Sequence, residues 1–300
     1  MLPSVPRWSE LRATLERAER WLLPGSCLIC GETVRARRTG FPQGALGAAE
    51  RVAREARCCR VAPSAPEGNP AQAPPDHDPL LCAPCTNRFA PLPYPQCRSC
   101  GQPLAPGIPC RLCAEWPKAF GGVESAVWLD DTARRAIHLL KYEGWRRLAE
   151  PLADTMAKRI TALGTERLAA GPPDHLTLVP IPLSTARYRH RGYNQSAVLA
   201  EALGERLGVP VAEALRRRRD TATQTALTPE ARRANLAGAF EAPGRPPRHA
   251  VLVDDVFTTG ATLAEAAAAL LEAGARTVTG VTFARAVRPL ADATGTLSSR

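Results

Sequence analysis

The chain has 300 residues, 45% of them hydrophobic, enough for one medium domain with a small module or for two domains. Its formal net charge of +10 favours polyanionic partners, nucleic acid or polyphosphate, and does not choose between them. No stretch reaches the roughly 18 uninterrupted apolar residues of a membrane span. The opening segment carries Arg7, Glu10, Arg12, Glu16, Arg17, Glu19 and Arg20, which excludes a secretory leader from the expectation and leaves a cytoplasmic protein without a membrane span.

In chain order, residues 1–26 read as a short amphipathic helix, with Trp8, Leu11, Leu15 and Leu22 at helical spacing, expected to pack on the protein. Ten cysteines follow, and eight of them form four Cys-x-x-Cys pairs: Cys27 with Cys30, Cys82 with Cys85, Cys97 with Cys100, and Cys110 with Cys113. Two residues between thiolates let both sulfurs reach one tetrahedral ion at about 2.3 Å, so two pairs complete one zinc site and four pairs imply two structural zinc ions. Pairing in chain order is expected; an interleaved pairing is the alternative. Residues 27–118 therefore read as a double zinc ribbon in which metal replaces a missing core. It is interrupted at about 31–79 by an Ala/Arg-rich and then Pro-rich insertion, expected to be disordered apart from one short helix near 45–57. Cys58 and Cys59 are adjacent, lack the knuckle spacing and read as ordinary thiols; His77 in a Pro/Asp loop is a poor ligand.

The texture changes near residue 119 to alternating strands and helices that continue to about 290, with 291–300 a flexible tail. A strand is predicted at Val123–Leu129 and a helix at Asp131–Tyr142. A second helix after Gly144 carries Trp145, Leu148, Leu152 and Met156 on one face. A buried strand follows at Leu176–Ile181, then a helix at 195–207 stopped by Gly208. A strand at 250–253, a helix at Thr262–Glu272 ended by Gly274, and a strand at 277–285 complete the series. This βα alternation implies an α/β fold with a parallel sheet covered by helices.

The most informative stretch is Val251–Thr262, VLVDDVFTTGAT. An apolar strand delivers Asp254 and Asp255 to its C-terminal end, both expected to face solvent. The loop Thr258, Thr259, Gly260 then opens into a helix at Ala261 and Thr262. Backbone N–H groups at that helix start, the threonine hydroxyls and a glycine that lets the backbone approach make a phosphate cradle. Carboxylates one sugar's length away can accept hydrogen bonds from vicinal ribose hydroxyls, directly or through a magnesium shell. A 5-phosphoribosyl group is the simplest ligand that fits both halves. Neither the Gly-x-x-x-x-Gly-Lys loop of nucleotide triphosphatases nor the Gly-x-Gly-x-x-Gly dinucleotide fingerprint occurs.

VLVDDVFTTGAT resembles the phosphoribosyl pyrophosphate (PRPP) motif of type I phosphoribosyltransferases, and the chain as a whole resembles the ComF competence-protein family with its GntX-like relatives. Further matching segments are LLKYEG at Leu139–Gly144, VPIPLSTARYRHRGYNQS at Val179–Ser196, RDTATQT at Arg219–Thr225 and RRANLAGAF at Arg232–Phe240. With the eight knuckle cysteines, the resemblance covers roughly 22–31 and 80–286; the insertion after Cys30 and the N-terminal helix depart from it. It implies a type I phosphoribosyltransferase-like, Rossmann-like domain in which Asp254 and Asp255 are the catalytic carboxylates and magnesium accompanies PRPP. The loop after Pro180 corresponds to the pyrophosphate loop, with Arg187, Arg189 and Arg191 beside it, and guanidinium groups suit phosphate on their own chemistry. Lys141 joins the phosphate ligands by the same resemblance, although a lysine is also favoured at a helix C-terminus by the dipole alone. Gln224 and Thr225 fall where the flexible active-site loop of such enzymes closes. Arg216–Arg219 reads either as a nucleic-acid stripe or as an exposed loop. Two functions stay open: handling single-stranded DNA during DNA uptake, with a competence helicase and a recombination mediator as partners, or pentosyl transfer from PRPP to an unknown acceptor. A PRPP-sensing regulator is a third.

Overall fold

The computed structural model describes residues 26–33, 80–92, 95–104, 107–110, 112–114, 116–163, 176–218 and 238–286. The chain divides into two compact units, Met1–Cys27 with Gly31–Cys82, and Leu28–Cys30 with Ala83–Arg300. In the first, the Cys27 N–H donates to the Glu32 carbonyl at 2.7 Å and the Gly31 N–H to the Cys27 carbonyl at 2.8 Å, closing a tight knuckle. The second unit repeats this turn two knuckles on. There the Cys97 N–H donates to the Gln102 carbonyl at 2.7 Å and the Gly101 N–H to the Cys97 carbonyl at 2.9 Å.

In the second unit a short helix α1 (Ala83–Asn87) precedes the sheet. Strands β1 (Phe120–Trp128), β2 (Leu176–Pro180), β5 (His249–Phe257) and β6 (Thr277–Arg285) pair in the order β1-β6-β5-β2, all parallel. Between β1 and β2 run α2 (Asp131–Tyr142), a 3-10 turn at Arg146–Leu148 and α3 (Ala149–Leu163). Asp130 caps α2, its Oδ1 accepting from the Ala133 N–H at 2.8 Å. After β2 come α4 (Thr185–Arg191) and α5 (Gln195–Leu207), and α6 (Ala261–Glu272) links β5 to β6. A two-residue antiparallel ribbon pairs β3 (Arg216–Arg217) with β4 (Phe240–Glu241).

The core explains the run of unbroken apolar residues in β5. Ala250 and Leu252 pack with Phe120, Val123 and Val278 beneath Leu263, Ala266, Ala267 and Leu270 of α6. The alternate residues Val251 and Val253 are also wholly buried, because α3 and α5 pack on each other and cover the sheet from the other side. A parallel strand buried on both faces reads as continuous hydrophobicity, not alternation.

The expected helices at 131–142 and 195–207 have those bounds. Other expectations change: β1 runs over Phe120–Trp128 instead of Val123–Leu129, and the helix expected after Gly144 begins at Ala149, with Trp145 capping and Leu148 ending the 3-10 turn before it. The strand expected at 250–253 continues to Phe257, since Asp254, Val256 and Phe257 stay in register with Thr282, Ala284 and Arg285 of β6. The loop expected after Pro180 contains α4, whose Ser184 cap accepts from the Arg187 N–H. None of the residues of α4 is buried, so no apolar period announced it. The N-terminal helix, the insertion with its helix near 45–57, Cys58, Cys59, His77, Arg219, Gln224, Thr225 and the tail lie outside the described residues.

Candidate functional site

The C-terminal ends of β2 and β5 form a switch point: β5 continues into α6 on one face of the sheet, and β2 into α4 and α5, of which α5 packs on the other. In open parallel sheets the crevice at such a point is where ligands bind. Asp254 and Asp255 stand there, and strand alternation turns them to opposite faces. Asp254 is half-buried; its Oδ1 accepts from the Ser196 hydroxyl at 2.8 Å and from the Asp255 N–H at 2.9 Å. Burial, reinforced by the neighbouring Asp255 charge, pushes the Asp254 carboxyl up to about 7 against the pull of Lys141 and Ser196. Asp255 is only 3% exposed, so the expectation that both carboxylates face solvent is corrected. Its Oδ1 accepts from the Val256 N–H at 2.9 Å, and its Oδ2 forms an ion pair with Lys141 Nζ from the end of α2. Lys141, expected among the phosphate ligands, is thus held by a carboxylate.

The chain then turns through Thr258, exposed, and Thr259, half-buried, whose Oγ1 accepts from the Ala261 N–H at 3.4 Å. Gly260 itself offers no side-chain cap, which leaves the N–H groups of Thr262 and Leu263 in the first turn of α6 for another acceptor. Ala261 and Thr262 open this turn and are half-buried. Gly260 has φ 78°, and a Cβ there would meet Trp116 Cζ2 at 2.6 Å and Phe257 Cζ at 2.8 Å. A glycine is required by this packing as well as by any approach to a ligand.

Helix α4, which follows β2, carries the basic residues expected beside the pyrophosphate loop. Arg187 and Arg191 are half-buried, Arg189 and His190 exposed. Arg191 Nη1 donates to Gln195 Oε1 at 2.7 Å, and its guanidinium lies 4.9 Å from the centre of the Tyr142 ring. Tyr142 and Lys141 are adjacent, and Gln195 and Ser196 are adjacent, so two continuous contacts tie Lys141–Tyr142 and Gln195–Ser196 to the Asp pair. The ordering role of Ser196 was not singled out from the sequence; its place in the first turn of α5, behind the Asn194 cap, is the signal that carries it. Arg216–Arg218 lie elsewhere on the ribbon: Arg217 rests on the Phe240 ring at 5.3 Å, and Arg218 Nε pairs with Glu241 Oε2 at 3.3 Å.

The eight knuckle cysteines gather in two groups, Cys27, Cys30, Cys82 and Cys85, and Cys97, Cys100, Cys110 and Cys113. Within each group all the sulfurs lie within 4.8 Å of one another. In the second group Cys97 and Cys113 are 3.6 Å apart at sulfur, as are Cys100 and Cys110. Four bonds of about 2.3 Å to a tetrahedral ion put sulfurs about 3.8 Å apart, whereas a disulfide needs about 2.05 Å, so the set fits zinc and not cystine. Burial pushes the Cys100 thiol up, and pushes Cys113 up to about 12 with help from its thiol neighbours. Burial acts the same way on Cys97, but hydrogen bonds from the Cys100 and Ser99 backbone outweigh it and lower that thiol. A metal at this set would have to displace protons as it binds.

Residues 194–294 match the phosphoribosyl transferase domain family. The DNA utilization protein YhgH of Salmonella typhi is 35% identical over 186 residues, 61% of this chain and 80% of that protein. Competence protein ComFC of Bacillus subtilis (strain 168) is 26% identical over 205 residues, 66% of this chain and 80% of that protein. Competence protein F of Haemophilus influenzae is 38% identical over 102 residues, 32% of this chain and 44% of that protein. Sheet, crevice and domain match together define a phosphoribosyltransferase-like α/β protein that also carries clustered cysteine knuckles. The chain belongs to the ComF family.

Proposed function

We propose that this chain binds PRPP with magnesium at the crevice between β2 and β5 and supports DNA uptake by handling single-stranded DNA. The observation that carries the ligand is the junction of β5 with α6: two carboxylates, one of them held near neutrality, followed at once by an uncapped helix start. The N–H groups of Thr262 and Leu263 at the start of α6 and the hydroxyls of Thr258, Thr259 and Thr262 take the 5-phosphate. Asp254 and Asp255 take the ribose hydroxyls and the magnesium, and Arg187 and Arg191 the pyrophosphate. Magnesium supplies charge neutralisation of that pyrophosphate. The DNA part of the reading leans on relatives named for DNA utilization and competence and on the net charge of +10. Zinc at the two cysteine groups, a cytoplasmic location, and a competence helicase and recombination mediator as partners belong to the same reading. Among the described residues no helix is long and apolar enough to cross a membrane.

Isothermal titration with PRPP and magnesium tests the ligand. The wild type is expected to bind, and Asp254→Asn with Asp255→Asn to lose at least tenfold in affinity; equal affinity in the double variant rules the crevice out. Pentosyl transfer is the second reading, in which an acceptor nucleophile bonds to C1 as the C1–O bond to pyrophosphate breaks. What favours it is Asp254 itself, since a group at about 7 can both take and return a proton near neutral pH. Pyrophosphate release on adding acceptors distinguishes it from a binding or PRPP-sensing role.

A further inference from the structure

Arg285 ends β6 and is 0% exposed, the largest fully buried side chain among the described residues. A guanidinium does not lose its proton in a protein interior, so its charge needs an anion there. Among the described residues no carboxylate pairs with it. Its Nη1 donates to the Cys100 carbonyl, its Nη2 to Gln102 Oε1 at 2.8 Å, and Nη2 stands 4.0 Å from Cys100 Sγ, while Nε has no partner. Carbonyl and amide oxygens are neutral. The groups around it that can become anionic are the sulfurs of Cys100, Cys110 and Cys97. Four thiols are neutral too; four thiolates around a dication carry two negative charges.

We infer that Arg285 is the counter-cation of the Cys97, Cys100, Cys110 and Cys113 centre in its metal-bound thiolate form, and that it fastens this centre to the phosphate loop. The inference rests on the reading of those thiols as zinc ligands. The second part follows from where the guanidinium lies, 4.2 Å from the centre of the Phe257 ring, whose edge in turn packs against Gly260. Cys100 shares one buried cluster with Phe257 and with Leu263 of α6, and the Ser99 carbonyl accepts from the Val123 N–H of β1 at 2.7 Å. The knuckle is therefore built onto β1 at one edge of the sheet, and Arg285 and Phe257 connect it to the loop that follows β5. Partners outside the ligand set commonly tune metal affinity by roughly 10- to 100-fold.

The full-length chain decides it, with Arg285→Met, which removes the charge, and Arg285→Lys, which keeps it. Cobalt(II) titration followed by competition with a chromophoric chelator reads the two tetrathiolate sites separately, the Cys27, Cys30, Cys82 and Cys85 site serving as internal control. The expected result is that R285M weakens one site by roughly 10- to 100-fold and leaves the other unchanged, while R285K stays within about threefold of the wild type. Melting adds a sign test: R285M should be less stable than the wild type when metal-loaded, yet at least as stable when metal-free, because the bare wild type buries an uncompensated charge. Where the metal-free wild type is itself unfolded, the affinities alone decide. Metal affinity within threefold in R285M, equal destabilisation of loaded and metal-free protein, or failure of R285M to fold at saturating zinc overturns the inference. A wild type that takes up metal at only one site, unaltered by Cys97→Ser, instead sinks the ligand reading beneath it.

Discussion

Asp254 and Asp255 are neighbours in sequence with different surroundings, because a strand sends consecutive side chains to opposite faces. Asp255 is sealed with Lys141, and Asp254 keeps a Ser196 hydroxyl and partial access to solvent. The folded chain holds Asp254 at about 7 against 3.8 when free, so the group stabilises the fold fully below about pH 4 and loses that contribution as pH rises through 7. The effect is bounded by about 4 kcal/mol. In thermal melts of the unliganded protein from about pH 5 to 8.5, the wild type should fall relative to Asp254→Asn as pH rises; parallel profiles would exclude the raised carboxyl. That the two acids belong to one site was legible in the adjacent DD before a TTG loop. The burial of Asp255 was not, because it depends on α2 ending with Lys141 over the strand, more than a hundred residues earlier in the chain.

Elements of the crevice differ in how far local sequence foretells them. Helices α2 and α5 were placed from local sequence, α5 with its stop at Gly208, whereas α4 is held by its Ser184 cap and buries nothing. The junction of β5 with α6 makes the sharpest demand on one residue. Gly260→Ala combines a left-handed φ with a side chain driven into Trp116 and Phe257, and should cost roughly 2–4 kcal/mol. Gly244→Ala, with nothing within 4 Å of its added Cβ, is the matched control and should stay within about 0.5 kcal/mol. Denaturant unfolding of the two variants measures the difference. Similar small losses would mean that the junction relaxes around a side chain.

At the scale of the whole molecule, the charge of +10 acts as a field. Its members are unequal: Arg218 is paired with Glu241, Arg191 is engaged by Gln195, and Arg189 on α4 is exposed. Single-stranded DNA should bind weakly and without sequence preference. If about four phosphates are neutralised, log affinity should fall against log salt with a slope near −3, at about 0.7 for each contact. Arg187→Ala with Arg189→Ala should flatten that slope by roughly 1.4. Fluorescence anisotropy of a labelled oligonucleotide across a salt series reads both numbers, and PRPP added to the same sample tells whether the two ligands compete. Binding that ignores salt, or a slope unchanged in the double variant, assigns the charge on α4 to the crevice's own phosphates.

The sequence alone determined the parallel α/β class, the strand-to-helix junction at Val251–Thr262 and the eight cysteines in four pairs. Each of these is written in short-range spacing: an apolar run, a carboxylate pair before a glycine turn, two residues between thiols. Only the tertiary structure decided which knuckles gather together, that Lys141 faces a carboxylate, and that Arg285 runs under Cys100 instead of out to solvent. Those are contacts between positions far apart in the chain. They are set by which strand ends lie side by side in the order β1-β6-β5-β2 and by the need to give each buried charge a partner, and no local window of residues carries that information.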